Sequence, residues 1–279
     1  MSAAPPARLF GIPATRAPIV AVFRRGPSAW SHVGRWDVAR GVYEPGAWIR
    51  ANLYPQRCDV SPDGRWLCYF TLKMPGRWKA GSTYVALSRL PWLTALAAWG
   101  TNGTWTRGAH FVDDPRLWEV GEPDEGDAGP CRGKFGLAVT RPAMFAVERR
   151  RGWTETADTP PRNERDVWDE QRGSGVTMEK PRPRTSGRVR LRVHGYFAAF
   201  RDSPAKDVMY ELFDGTQVTA LAEAQWADWD AAGRLLVATR DGRLQIRELG
   251  EGSPRVVSEA DAGTGGPRPV APPPEALRW

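Results

Sequence analysis

One pattern of eleven residues occurs twice in this chain and constrains its fold more than any other feature. The first copy is Asp59–Tyr69 (DVSPDGRWLCY) and the second is Asp228–Ala238 (DWDAAGRLLVA), and the two align without a gap. Four positions are identical: an aspartate, a glycine, an arginine and a leucine. In each copy a turn separates two runs of residues that favour β-strands. The sequence therefore predicts a repeated β-hairpin.

The turn residues explain why the chain reverses at these points. Pro62 presets φ for a turn, Asp63 accepts hydrogen bonds from nearby backbone N–H groups, and glycine adopts the left-handed conformation. A third turn follows the second copy at once and leads into an alternating strand over residues 244–249. The residues that we expect to form these turns are Asp63, Gly64, Asp228, Gly233, Asp241 and Gly242.

The repeated hairpin resembles the blades of bacterial β-propellers of the Tol-type and WD-repeat kinds, in which an S-P-D-G-[RK]-x-[LI] hairpin joins the inner strands. The two copies begin 169 residues apart, which is close to four blades of about 40–45 residues each. Three short stretches, 24–28, 54–59 and 88–97, are also similar to uncharacterised bacterial proteins. Neither resemblance implies an activity.

Composition agrees with a fold of many short strands. The 279 residues include 29 Gly and 25 Pro, which interrupt long helices. Together with the resemblance, this predicts an all-β, β-propeller-like fold of about five or six antiparallel meander blades, with one short helix at residues 91–99. We expect one domain over residues 9–262, a disordered basic insertion at about 155–187, and flexible Pro-rich termini at 1–8 and 263–279.

Arginine is concentrated in one part of the chain. Residues 149–192 contain 12 Arg and Lys against seven Asp and Glu, which accounts for +5 of the net charge of +7. Within this tract arginine alternates with Val189, Leu191 and Val193, so a strand here places guanidinium groups on one face. The stripe predicts contact with phosphates or an acidic partner, or alternatively a sheet edge protected from aggregation. The candidate contact residues are Arg182, Arg184, Arg188, Arg190, Arg192 and Trp168.

The sequence predicts no catalytic residue, cofactor or metal site. Cys58, Cys68 and Cys131 are too few for a disulfide framework and are expected to be reduced, although the first two lie on opposite arms of the hairpin. No zinc-ligand spacing, G-x-S-x-G motif or phosphate-binding loop is present. The acidic tract over 113–127 lacks calcium-loop spacing and is expected to be a solvated loop. No apolar run is long enough to span a membrane, and the cytoplasm is the expected compartment.

Three functions remain open on this basis. The first is a non-catalytic protein-interaction or scaffold component of a cytosolic bacterial assembly, with a protein partner. The second is binding of nucleic acid or another acidic polymer through the arginine stripe. The third is a hydrolase with its site in the propeller channel, because a fold of this class hosts unrelated functions.

Overall fold

The computed structural model describes residues 7–26, 29–73, 82–101, 110–111, 137–138, 145–156, 176–185, 188–196, 208–250 and 254–278. It divides into two compact units, each discontinuous in sequence. The first unit contains Met1–Phe10 and Met144–Thr264, and the second contains Gly11–Ala143 and Gly265–Trp279.

The described residues form four sheets of four or five strands and one two-stranded pair. Sheet I has the order β1-β2-β3-β4 and contains β1 (Arg8–Pro13), β2 (Ile19–Arg25), β3 (Ser31–Asp37) and β4 (Val42–Ile49). In sheet II, β7 pairs with three strands; the sheet contains β5 (Asn52–Leu53), β6 (Asp59–Val60), β7 (Trp66–Leu72), β8 (Thr83–Arg89) and β9 (Ala97–Gly100). The pair consists of β10 (His110–Phe111) and β11 (Leu137–Ala138).

The other two sheets lie in the first unit and follow chain order. Sheet III contains β12 (Thr154–Glu155), β13 (Val176–Pro181), β14 (Arg190–Tyr196), β15 (Met209–Phe213) and β16 (Val218–Ala220). Sheet IV contains β17 (Ala224–Trp229), β18 (Leu235–Thr239), β19 (Arg243–Glu248) and β20 (Arg255–Asp261). Both are open antiparallel meanders. The predicted class, all-β and β-propeller-like, is confirmed.

The two copies of the sequence repeat form equivalent bends. Gly64 has a φ of 71° and Gly233 a φ of 78°, so both hold the left-handed conformation that the sequence predicted. The Gly64 N–H donates to the carbonyl of Ser61 at 2.9 Å, and the Gly233 N–H donates to the carbonyl of Asp230 at 3.0 Å. The first residue of each turn also supplies a capping oxygen, because Ser61 Oγ accepts the Trp66 N–H and Asp230 Oδ1 accepts the Arg234 N–H.

Close packing gives these glycines a second role. A Cβ atom on Gly64 would lie 2.6 Å from Cβ of Ile19, which belongs to sheet I. A Cβ atom on Gly233 would lie 2.7 Å from the carbonyl oxygen of Pro183, just beyond β13. Neither obstacle is the end of a flexible side chain. Each bend therefore needs glycine both for its φ and for the approach of a neighbouring segment of the same unit.

The aspartate that opens each repeat is buried, with relative exposures of 0% for Asp59 and 2% for Asp228. Each carboxylate accepts the N–H of the following residue, Val60 at 2.9 Å and Trp229 at 2.7 Å. Each also accepts a donor from outside its own sheet. Asp59 Oδ2 accepts the Phe111 N–H of β10 at 2.6 Å, and Asp228 Oδ1 lies 2.6 Å from Lys180 Nζ of β13.

The central strands of sheet II, β7 and β8, are apolar on both faces because both faces are buried. Six of the seven residues of β7 and six of the seven of β8 are buried. One face of these strands forms a cluster with neighbouring residues: Trp66, Cys68, Phe70, Val85, Leu87, Ala97, Trp99 and Phe111. Cys58 and Cys68 are buried free thiols, as expected for reduced cysteines.

The prediction of a helix at residues 91–99 is wrong. Ala97–Gly100 is a strand, and the residues before it form a loop whose carbonyls accept side-chain donors. Ser88 Oγ donates to the carbonyl of Trp92 at 2.6 Å, and Tyr69 Oη donates to that of Leu93 at 3.0 Å. These tertiary contacts override the local propensity for a helix. The described helix is instead Ala146–Arg150.

Two predicted flexible regions are also ordered in part. The prediction of a disordered insertion at 155–187 is wrong for residues 176–181, because these residues form β13 and bury Val176 and Met178. The tail predicted to be flexible contains a 3₁₀ turn, Pro274–Leu277, with Ala276 buried. Arg24 donates to the carbonyl of Gly265 at 2.8 Å, which ties the start of this tail to β2. The single domain over 9–262 stays a prediction.

A glycine series tests the two requirements at the turns. Gly64→Ala and Gly233→Ala are each expected to lower the free energy of unfolding by about 2–4 kcal/mol, because left-handed strain and a steric clash add. Gly215→Ala, at a φ of 100° with no atom within 4 Å of the new Cβ, should cost about 1 kcal/mol. Gly250→Ala is the control, expected within about 0.5 kcal/mol of the parent in urea denaturation. Equal losses at Gly64 and Gly215 would contradict the role of packing.

The buried Lys180–Asp228 pair gives a second test. Asp228→Asn is expected to lower the free energy of unfolding by about 3–5 kcal/mol, because it leaves a buried ammonium group without its carboxylate. Adding Lys180→Met to that variant should restore at least half of the loss in the same denaturation assay. Glu248→Gln, which removes only an exposed ion pair with Arg255, serves as the control and should change stability by less than about 1 kcal/mol. A double variant no more stable than Asp228→Asn alone would refute this account.

Candidate interaction surface

The predicted arginine stripe lies on the solvent-facing side of sheet III, in the first unit. Directly opposed residues of an antiparallel sheet share a face, so the strand register defines which side chains lie together. One row runs Pro181, Arg190, Phe213 and Val218, and a second runs Glu179, Arg192, Glu211 and Ala220. His194 lies opposite Met209 in a third. We call these ten residues the outer face.

The opposite side of the same strands is apolar, as the sequence alternation predicted. Leu191 and Val193 of β14 are buried, and so are Met178 of β13 and Tyr210 and Leu212 of β15. Burial raises the pKa of the Tyr210 hydroxyl above its ordinary value. Because this side is packed, the arginine side chains of β14 have to project from the outer face.

Arg192 occupies the centre of the outer face and contacts three groups. Its Nε lies 3.3 Å from Glu179 Oε2, and its Nη1 lies 3.9 Å from Glu211 Oε1. Its guanidinium carbon lies 3.7 Å from the centroid of the Phe213 ring. Two carboxylates and an aromatic ring thus hold this arginine in place, which makes it a fixed part of the surface.

The remaining charged groups extend this network along the sheet. Arg190 Nη1 lies 2.6 Å from Glu179 Oε1, so a single carboxylate receives two arginines. On the other side, His194 Nε2 lies 3.0 Å from Glu211 Oε1, while its Nδ1 lies 3.2 Å from Thr177 Oγ1. The outer face therefore carries two arginines and two carboxylates, and their formal charges cancel when His194 is neutral.

The other candidate arginines lie at the end of the β13–β14 hairpin. Arg182 Nε donates to the carbonyl of Gly233 at 2.8 Å, which connects the hairpin to the β17–β18 turn. Arg188 Nε donates to the carbonyl of Asp214 at 3.2 Å. Arg184 is exposed and has a φ of 58°. Trp168 lies outside the described residues, so the structure does not place it.

Two large apolar side chains are exposed on this face. Met209 has a relative exposure of 64% and Val218 one of 55%, and Phe213, the row partner of Val218, is partly exposed. Sequence reasoning missed these residues, together with Glu179 and Glu211. The signal was available in β15, where Met209, Glu211 and Phe213 alternate with the buried Tyr210 and Leu212. The sequence alone did not indicate which of those two sets faces solvent.

The other chemical groups discussed from the sequence do not form a site among the described residues. Burial raises the pKa of Cys58 to about 12 and also raises that of Cys68, so both stay thiols at neutral pH. Burial and then the charge of Arg24 lower the pKa of His32 to about 4. Within the described ranges no three His, Cys, Asp or Glu side chains group as metal ligands. The acidic tract at 113–127 and Cys131 lie outside those ranges.

No helix among the described residues is both long and apolar enough to cross a membrane.

Comparisons with known proteins add little about activity. No protein-family model matches the sequence, and a search of curated proteins found no match. An uncharacterised protein from Listeria monocytogenes is a structural neighbour at 10% identity and a TM-score of 0.32, covering 96% of this chain and 86% of that one. The β-propeller domain of the Trilobed protease from Pyrococcus furiosus is another, at 12% identity and a TM-score of 0.29, covering 93% and 86%.

An acylaminoacyl peptidase from Pyrococcus horikoshii is similar over 93% of this chain at 12% identity and a TM-score of 0.23. This chain spans 46% of the length of that enzyme. At such TM-scores and identities, none of these likenesses bears on activity. The Tol-type and WD-like assignment of the repeats stays a prediction.

A charge-removing variant tests the network around Arg192. Arg192→Gln is expected to lower the free energy of unfolding by about 1 kcal/mol, because Glu179 and Glu211 lose a shared cation and Phe213 loses its stacking partner. The loss should shrink in a Glu179→Gln background, which a double-mutant cycle in urea would show. Arg255→Gln, in an exposed ion pair of sheet IV, is the matched control and should change stability by less than about 0.5 kcal/mol. An identical effect of Arg192→Gln in both backgrounds would contradict the coupling.

Proposed function

We propose that this protein is a non-catalytic interaction module that binds a protein partner on the outer face of sheet III. The observation that carries the proposal is the position of Met209 and Val218, two exposed apolar side chains on the same face as an ordered arginine–glutamate network. Such a face combines the parts of a protein interface. Apolar anchors lose contact with water on binding, and polar groups around them fix the orientation of the partner.

The composition of the outer face supports a protein partner more than a nucleic acid. Arginine, methionine and phenylalanine are enriched in protein interfaces, and all three occur here. A phosphate backbone is recognised through an excess of positive charge. Arg190 and Arg192 already share Glu179, and Arg192 also lies near Glu211. A nucleic acid would therefore meet two carboxylates on this face, and each would oppose its charge.

The arrangement also suggests the chemistry of the partner. Because Arg192 is held by three groups while the side chain of Arg190 is about half exposed, Arg190 is the cation best placed to reach an acidic side chain of the partner. Val218 lies in the same row, separated from Arg190 by Phe213. We therefore infer a partner segment that carries an apolar side chain beside a carboxylate. A scaffold role in a cytosolic bacterial assembly is part of this proposal.

Site-specific photocrosslinking in the native host tests the proposal. A photoreactive phenylalanine analogue at position 218 is expected to capture one protein, because the partner covers that side chain. The same analogue at position 42 is the matched control, since Val42 is 51% exposed on β4 of the second unit. Arg190→Glu should then weaken binding of the captured, purified protein by about tenfold or more in calorimetry, since it replaces attraction by repulsion at the same row.

Three results would overturn the proposal. The first is equal capture at positions 218 and 42, which would indicate nonspecific contact. The second is capture of nucleic acid at position 218, with binding that falls steeply as salt rises. The third is an unchanged affinity of the Arg190→Glu variant for the captured protein, which would show that this protein does not bind at the outer face.

A further inference from the structure

A cavity of about 260 Å³ lies within the second unit, and none of its lining residues belongs to the outer face. Its wall is formed by the facing strands β3 and β4, the Ser61–Arg65 turn, the end of β8 with the loop after it, and the 3₁₀ turn near the C-terminus. Its volume lies just below the range of about 300–1,000 Å³ that is usual for drug-sized ligands. A ligand of amino-acid size fits such a space.

The charged groups in this wall are balanced. Three arginines and three carboxylates line the cavity: Arg35, Arg65, Arg89, Glu44, Asp63 and Glu275. Arg35 and Glu44 are cross-strand partners 3.7 Å apart, and Arg65 Nε lies 2.5 Å from Asp63 Oδ2. Both pairs are partly exposed to solvent. A single anion or cation would meet as many like charges as opposite ones, so the wall favours a molecule that carries both signs.

Arg89 is held by an aromatic ring and a backbone carbonyl. Its guanidinium carbon lies 4.4 Å from the centroid of the Trp66 ring, and its Nε donates to the carbonyl of Arg278 at 2.9 Å. That bond uses one of the five donors of a guanidinium group. A planar, stacked guanidinium is suited to recognising a carboxylate.

The rest of the wall is apolar. Leu90, Pro91, Trp92 and Pro273 line it together with Ala276. Proline rings and an indole present rigid surfaces, so contact with an apolar group there costs little side-chain entropy. The cavity thus joins an apolar wall to separate acidic and basic groups.

We propose that this cavity binds a free amino acid with an apolar side chain. Arg89 receives the α-carboxylate, because it is held in a fixed orientation by Trp66 and the Arg278 carbonyl. Glu275, which is exposed on the C-terminal turn, receives the α-ammonium group. The apolar side chain lies against Pro91, Trp92 and Pro273. The site does not depend on the proposed partner of sheet III.

Titration calorimetry on the 279-residue chain tests this assignment with defined probes. L-leucine and L-phenylalanine are expected to bind. N-acetyl-leucine, which lacks the ammonium group, and leucinamide, which lacks the carboxylate, should each bind at least about tenfold more weakly, because each leaves Glu275 or Arg89 without a charged partner. Inorganic phosphate should bind more weakly than either amino acid.

Two variants locate the site. Glu275→Gln should weaken L-leucine binding by about tenfold while leaving N-acetyl-leucine unaffected, since only the first has an ammonium group. Arg89→Lys keeps the charge but loses the planar fork, and it should weaken both ligands. Arg255→Gln on sheet IV is the control and should change neither affinity. The thermal unfolding midpoint of each variant, measured without ligand, separates loss of binding from loss of folding.

The assignment is overturned by absence of L-leucine and L-phenylalanine binding at millimolar concentration. It is equally overturned if phosphate binds more tightly than the amino acids, which would indicate an anion site, or if the acetylated and amidated probes bind as well as leucine. Unchanged affinity in both folded variants would place the ligand elsewhere on the protein.

Discussion

A buried carboxylate at the start of each repeated hairpin is the constraint on which much of the packing depends. Ionised carboxylates are stable inside a protein only when hydrogen bonds replace the water they lose. Asp59 and Asp228 meet this requirement with donors from a neighbouring strand pair or sheet, the Phe111 N–H and the Lys180 ammonium group. Sheets that supply those donors have to lie beside sheets that supply the carboxylates. The same aspartate therefore begins a hairpin and fixes the position of the neighbouring strand pair or sheet.

Strand register has a comparable effect on the surface of sheet III. The pairing of β13, β14 and β15 brings Glu179, Arg192 and Glu211 into one row. The two arginines that this basic tract places on the outer face are thereby balanced by two carboxylates. The excess of arginine between residues 149 and 192 would favour a polyanion if it were distributed on a free chain. The folded sheet supplies local carboxylates, and this is the reason for preferring a protein partner.

The sequence indicated those features that depend on local chemistry. The turns at Gly64 and Gly233 follow from the residue types, and the buried side of β14 follows from its alternation. Residues 91–96 could not be predicted, because side chains of Ser88 and Tyr69 decide their conformation. The sequence did not predict that β13 is an ordered strand for a similar reason. Its polar residues Glu179 and Lys180 pair with Arg192 and Asp228, which lie later in the sequence. The pairing of Arg192 with Glu211 depends on the register between β14 and β15. Residue composition does not indicate that register.

The discontinuity of the two units has a consequence for synthesis of the chain. Residues 11–143 emerge from the ribosome early, yet the same unit also includes residues 265–279. Arg24 donates a hydrogen bond to the carbonyl of Gly265, which lies 241 residues later in the chain. Arg89 donates one to the carbonyl of Arg278, which lies 189 residues later. The second unit therefore completes these contacts only after residues 265–278 have been synthesised. A nascent chain that stalls before residue 265 lacks both carbonyls, and it also lacks Pro273, Glu275 and Ala276 in the wall of the cavity.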